Sequence, residues 1–315
     1  MRTLAQITFA LLALAATLHA QGNHYYDLAQ ERGPATIHFS VGTLLGPLKG
    51  DDRFHGAGDL GLEVASATFP FGTGRLMTAS TGPIVMVEPE IHGWIPNPIP
   101  GFPHLADVYF RGAECYFDSS TFPIDPATGN YTGGGTITFT AGEIELNAIS
   151  TSTIMPLAGL GSDIFQISGS LNQFGGKVEF TCSFAHQFVG DVGGFSIAVN
   201  LGGVLYGATT IPGLALSLNI STLTAGQLAS FDCSGGLPQS PIYLGASTRG
   251  TGSNPINALH VICDLLQPIP VKSGLTDAAG NCSWAIQVPN FPGLSVWFQT
   301  IQMGLKSPVV ATAIQ

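Results

Sequence analysis

Val178-Glu179-Phe180-Thr181-Cys182-Ser183-Phe184 alternates apolar and polar residues without a break. Side chains of an extended chain point to opposite faces in turn, so Val178, Phe180, Cys182 and Phe184 share an inward face and Glu179, Thr181 and Ser183 an outward one. The same period of two returns on either side of this stretch. Residues 36–41, 60–68, 84–87, 107–110, 115–118, 136–140, 143–149, 164–171, 195–200 and 203–209 read as strands bounded by Gly, Pro, Asn and Asp. Beyond residue 20 no window keeps an apolar helix pattern for three turns, and the expected fold is all-β.

From residue 216 onward the spacing is more regular, with strands expected over 216–222, 227–233, 242–247, 259–265, 282–288, 295–303 and 309–314. Short strands at this spacing suggest a sandwich. Turn chemistry agrees: in Asp125-Pro126-Ala127-Thr128-Gly129-Asn130 the proline sets φ and Gly129 or Asn130 takes a positive one, and Gly280 and Asn281 fill the same role in 276–281. Residues 91–103 hold four prolines around Trp94 and are expected to form a long surface loop. The expectation is therefore two β-sandwich domains, jelly-roll or Ig-like, over 21–214 and 215–315.

Residues 1–20, MRTLAQITFALLALAATLHA, combine a basic start at Arg2, an apolar run and a small-residue end at Leu18-His19-Ala20. That pattern is a cleavable signal peptide, so a secreted, extracellular or periplasmic protein is expected. No cysteine closes the segment and no later apolar run reaches membrane-spanning length, which excludes a lipid anchor and membrane insertion from the expectation. Lys and Arg total 10 against 20 Asp and Glu, a net charge of −10, and a chain so poor in cations is a poor partner for nucleic acid.

Five cysteines fit an oxidising compartment. Cys115 sits beside Phe117 as Cys182 sits beside Phe180 and Phe184, so a Cys115–Cys182 disulfide inside the first domain is expected. Cys233, Cys263 and Cys282 then supply one pair and one leftover. The competing reading is that all five are reduced, buried small hydrophobes.

The final segment runs from a Thr224-Ala225-Gly226-Gln227 turn through Asp277-Ala278-Ala279-Gly280-Asn281 and Val288-Pro289-Asn290-Phe291-Pro292-Gly293-Leu294 to Trp297-Phe298-Gln299-Thr300. Residues from about 216 to 315 resemble an uncharacterised C-terminal β module of predicted secreted proteins from environmental bacteria. The resemblance implies an extracellular β module of a bacterial protein and no activity; the first domain resembles no known family.

Chemistry-bearing patterns are sparse. Gly56-Ala57-Gly58-Asp59-Leu60-Gly61 has GxGxxG spacing, but it follows the polar 49–53 stretch and leads into a strand-like Leu62-Glu63-Val64, so it reads as a glycine-rich β turn. No HxxxH, HxH or Cys–His spacing suggests a metal, no GxSxG suggests a serine nucleophile, and no cofactor is expected. Glu88 and Glu90 put two carboxylates on one side of an extended segment, with His92 and Trp94 beyond, an arrangement suited to glycoside chemistry with an aromatic sugar platform. Glu143 and Glu145 repeat the spacing on what reads as a solvated face. Trp284 reads as core and Trp94 as exposed. The chain is accordingly expected to be an exported non-catalytic structural or binding protein, of adhesion or matrix type, whose partners are extracellular polysaccharide or other surface proteins. The alternatives are a secreted carbohydrate-active hydrolase using Glu88 and Glu90, and a sugar-binding module using Trp94 without turnover.

Overall fold

A computed structural model of the chain describes residues 22–28, 31–43, 46–47, 49–50, 52–78, 80–148, 151–160, 162–192 and 195–315. The expected signal peptide lies outside the described residues. The chain is all-β, and its helical pieces among the described residues are two short 3₁₀ turns, Leu157–Leu160 and Asn257–Leu259. It divides into two compact units, residues 1–172 with 180–209, and residues 173–179 with 210–315.

The first unit opens with β1 (Gly22–Asp27), β2 (Ala35–Thr43), β3 (Gly46–Pro47), β4 (Lys49–Gly50), β5 (Arg53–Ala57), β6 (Asp59–Val64), β7 (Thr73–Met77) and β8 (Ile84–Met86). It continues with β9 (Glu90–Ile95), β10 (Ala106–Ser119), β11 (Phe122–Pro123), β12 (Asn130–Ala148), β13 (Thr151–Pro156), β14 (Ser162–Phe174), β15 (Lys177–Val192) and β16 (Phe195–Thr210). All sixteen strands belong to one sheet. Its central path runs β16-β15-β14-β12-β10-β8-β5-β2, and β16 also pairs β2, so these strands form a closed hydrogen-bonded circuit. Closure removes the unpaired edges that an open sheet would expose. The alternation seen in residues 178–184 puts Phe180 and Cys182 at the core, where Phe180 meets Tyr26 at 5.4 Å between ring centroids. Phe39, Phe54 and Phe110 form a second aromatic group, and a cavity of about 20 Å³ remains among Ile37, Phe54, Cys115, Phe139, Phe184 and Leu201.

Two pairs of expected strands are each one long strand. Residues 107–110 and 115–118 join in β10 through a bulge, where the register with β12 shifts between Arg111 and Glu114. Facing it, 136–140 and 143–148 join in β12 at Gly142, whose φ is +100° and whose added Cβ would lie 2.7 Å from Ala113 Cα; residue 149 of the second expected strand lies outside the described residues. Glycine breaks a propensity reading, yet a bulge absorbs the extra residue without ending the ladder. The glycine-rich 56–61 stretch is a turn between strands: Gly58 has φ +144° and separates β5 from β6.

The expected loop over 91–103 is corrected at its start. Residues 90–95 are β9, paired along β10 from Ile95↔Ala106 to Glu90↔Arg111. All four prolines follow Ile95, so none removes a donor from the strand.

The second unit holds β17 (Ser217–Ile220), β18 (Leu228–Ser234), β19 (Pro241–Ser247), β20 (Thr251–Ile256), β21 (Val261–Leu265), β22 (Ile269–Leu275), β23 (Cys282–Gln287), β24 (Ser295–Gln302), β25 (Leu305–Lys306) and β26 (Val310–Ala313). A three-stranded sheet β17-β18-β23 and a five-stranded sheet β22-β19-β24-β25, with β26 on β24, share one core that includes Phe231, Leu244, Trp284 and Phe298. A smaller cluster of Val261, Cys263, Leu265 and Ile301 lies at β21. The 276–281 turn closes on Asp277, whose Oδ1 accepts from the backbone N–H groups of Ala279 (2.9 Å) and Asn281 (2.8 Å).

All five cysteines are free thiols, four of them buried and Cys282 partly so. The expected Cys115–Cys182 bridge is not formed: Cys115 is on β10 and Cys182 on β15, with β12 and β14 between them in the sheet. A shared inward orientation put both at the core, but strand order keeps them from being neighbours. Burial pushes both thiols up to about 12, the behaviour of inert core residues.

Candidate functional site

Alternation along β9 buries Ile91, Gly93 and Ile95 and turns Glu90, His92 and Trp94 to the other face. β10 does the same, burying Ala106, Val108 and Phe110 and turning out Asp107, Tyr109 and Arg111. Antiparallel register sets Trp94 opposite Asp107, His92 opposite Tyr109 and Glu90 opposite Arg111. On the far side of β10, Asn147, Glu145 and Glu143 of β12 face the same three residues. Three short rows of chemistry-bearing side chains thus lie across one half-exposed sheet face.

The rings of this face form a chain of contacts. His92 stacks on Tyr109 with centroids 4.6 Å apart and 9° between planes, and Trp94 stacks on His104 at 5.2 Å and 12°. His92 and Trp94 are 5.6 Å apart, and the Arg111 guanidinium lies 4.8 Å above Tyr109. Polar contacts hold the rings in place. His92 Nε2 and His104 Nδ1 each lie 2.8 Å from Asp107 Oδ1. Arg111 donates to Glu90 and Glu145 and lies 3.5 Å from Glu143, while Asn147 donates to Glu145 at 2.9 Å.

These contacts settle the protonation tendencies. Desolvation raises the Asp107 carboxyl, but the hydrogen bonds and charges of His104 and His92 outweigh it and hold the group below the usual carboxylate range. Asn147 and Arg111 do the same for Glu145, and its carboxylate partners raise Arg111. Asp107 and Glu145 are therefore held as hydrogen-bonded carboxylates.

Of the residues singled out in the sequence, Glu90 and Trp94 lie on this face and Glu88 does not. Glu88 sits in the bend between β8 and β9, accepts the His55 N–H at 2.8 Å and is hydrogen-bonded to His55 Nδ1. Desolvation raises its carboxyl, and the His55 bonds override that and lower it. The two carboxylates thus have different partners on different strands, because Pro89 interrupts the alternation that would have aligned them. Asp107 and Tyr109 share one face of the strand expected over 107–110, Arg111 lies one residue beyond that expectation, and His104 carries no local signal, since it arrives from the proline-rich loop.

A separate open groove of about 310 Å³ in the same unit is lined by Arg32, Thr36, His38, Val204 and Tyr206 among others, with the Arg32 guanidinium 3.7 Å over the Tyr206 ring. No carboxylate among the described residues lines it. Among the described residues no group of three or more His, Cys, Asp or Glu could hold a metal ion, and no helix is long and apolar enough to cross a membrane.

No protein-family model matches the chain, and no curated protein matches it. Among solved structures, a polysaccharide lyase is similar at 10% identity with a TM-score of 0.22, over 90% of this chain and 40% of that one. The chain thus spans 40% of that protein's length.

Proposed function

We propose that the β9–β10–β12 face binds an extracellular polysaccharide without turning it over, and that the chain is an exported structural or binding protein. The observation that carries this reading is the run of rings from His104 through Trp94 and His92 to Tyr109, half-exposed and flanked by Asn147, Glu145 and Arg111. Aromatic faces cover the apolar faces of sugar rings, and flanking amides and charged groups meet the hydroxyls. A sheet face presents such groups in a row, which matches an extended polymer. The lowered carboxyls of Asp107 and Glu145, each held by hydrogen bonds, favour binding over hydrolysis, for which one carboxyl must stay protonated. The C-terminal unit serves in this reading as the extracellular β module that residues 216–315 resemble.

Binding of the intact protein to a glycan array and to insoluble polysaccharides tests the reading, with Trp94→Ala as the control. We expect affinity for at least one polysaccharide, weakened about tenfold or more in Trp94→Ala, equivalent to about 1.4 kcal/mol, and no release of reducing ends. Absence of binding across the panel, or binding indifferent to Trp94→Ala, overturns it.

A further inference from the structure

Cys233 and Cys282 are cross-strand partners. β18 and β23 run antiparallel with Ala229 opposite Ile286, Phe231 opposite Trp284 and Cys233 opposite Cys282. Along β18 every second residue, Ala229, Phe231 and Cys233, is buried, so directly opposed Cys282 shares the core-facing side, and both cysteines belong to the same apolar cluster. Directly opposed residues of an antiparallel pair have Cα atoms about 4.5–5.5 Å apart, inside the range of about 4.4–6.8 Å that a disulfide spans. In the thiol state Cys282 Sγ points toward β22, where a Cβ added to Gly274 would meet it at 3.2 Å. Rotation about χ1 to another staggered position turns it toward Cys233.

We propose that Cys233 and Cys282 are a modification site, forming one intramolecular disulfide when the chain folds in an oxidising compartment. Cys263 is the leftover thiol. It lies on β21 in the separate cluster with Val261, Leu265 and Ile301, and its partner across the β20–β21 pair is Asn254.

The chemistry is thiol–disulfide exchange with an oxidised dithiol carrier. One cysteine thiolate attacks a sulfur of the carrier disulfide and expels the carrier's other sulfur as a thiolate. The second cysteine thiolate then attacks the resulting mixed disulfide and releases the carrier. The Cys233–Cys282 bond forms, and two electrons and two protons end on the carrier as a dithiol. Cys233 is 3% exposed in the folded unit, and burial pushes its thiol up to about 12. Exchange therefore belongs to the stage at which β18 and β23 have paired and the second sheet has not yet closed over them.

The test is refolding of the full chain in a glutathione redox buffer, alkylation of remaining thiols and digestion with trypsin plus an Asp-directed protease without reduction. Those cuts leave Cys233 on peptide 232–249, Cys263 on 250–263 and Cys282 on 277–306, each alone. We expect 232–249 joined to 277–306, lighter by two hydrogens than the two reduced peptides, with Cys263 alkylated. A reductant then lowers the unfolding temperature of the wild type by about 5 °C or more and leaves that of a Cys233→Ala/Cys282→Ala double variant unchanged. Full alkylation of both cysteines after oxidative refolding, or a link from either one to Cys263, overturns the proposal. The peptide map needs no variant, so it stands even if the double variant does not fold, and it is independent of polysaccharide binding.

Discussion

The indole of Trp94 and the imidazole of His104 lie nearly parallel, 12° between planes with centroids 5.2 Å apart, although the proline-rich loop separates them in the chain. Trp94 is held by β9 and His104 by the Asp107 carboxylate, so strand and loop are joined through a ring stack and a hydrogen bond. In the proposed role this ordering in advance lowers the cost of binding.

Removing the supporting ring while keeping the indole separates position from contact. In His104→Ala we expect polysaccharide affinity to fall about threefold to tenfold, less than in Trp94→Ala, with an unchanged circular dichroism spectrum. Isothermal titration of both variants against the polysaccharide found for the wild type provides the measurement.

Asp107 ties two imidazoles to one oxygen, and its depressed carboxyl makes that tie sensitive to acid. An acid whose folded pKa lies below its unfolded value of about 3.9 stabilises the fold above that value, and the contribution is lost as pH falls through the folded pKa. Allowing for its partial exposure, Asp107→Asn is expected to cost about 1 kcal/mol at pH 6 and less near pH 3. Urea unfolding of both proteins at the two pH values measures this; an equal gap at both would contradict it.

Gly142 is required by space as well as by its φ. A Cβ there meets Ala113 Cα at 2.7 Å and the Arg111 carbonyl oxygen at 2.8 Å, both backbone atoms, whereas Gly101, with φ +85°, has nothing within 4 Å. Gly142→Ala is expected to cost about 3 kcal/mol or more and Gly101→Ala only about 1 kcal/mol. Since the clash falls on the strand that carries Arg111, Gly142→Ala also weakens ligand binding. Denaturant midpoints and one binding isotherm for each variant test both halves.

Asp277 anchors the turn before β23 with two backbone hydrogen bonds, led by the one from Asn281, and these lower its carboxyl against the opposing effect of desolvation. Asp277→Ala is expected to lower the unfolding midpoint at neutral pH. The difference shrinks in acid as the wild-type carboxylate takes up its proton, because the stabilisation is fully present above the unfolded pKa and is lost as pH falls through the folded one. Thermal melts at pH 7 and pH 3 give the comparison.

Local readings succeeded where one residue type dictates the backbone. Gly129 and Gly280 have φ +72° and +78° at the expected turns, and the 178–184 alternation lies within β15 with Phe180 and Cys182 buried. They failed where a neighbour decides. Gly112 and Gly142 looked like strand ends and are halves of one bulge, because a facing strand can absorb an extra residue that a linear pattern must count as a break. Half of the candidate site was legible in the same way: Glu90 and Trp94 share a face by spacing alone, while Glu88 is turned to His55 on β5.

The order of apolar and polar residues by itself determined that this protein is all-β and which side chains of each strand face inward, since those features depend only on a period of two and on the backbone needs of Gly and Pro. Tertiary structure alone decided which strands are neighbours, and so that Cys115 and Cys182 are separated while Cys233 opposes Cys282, and that His104 and Asp107 complete the face begun by Trp94. Pairing between distant strands is chosen by closure of the sheet and by packing of whole faces, which no local stretch of sequence contains.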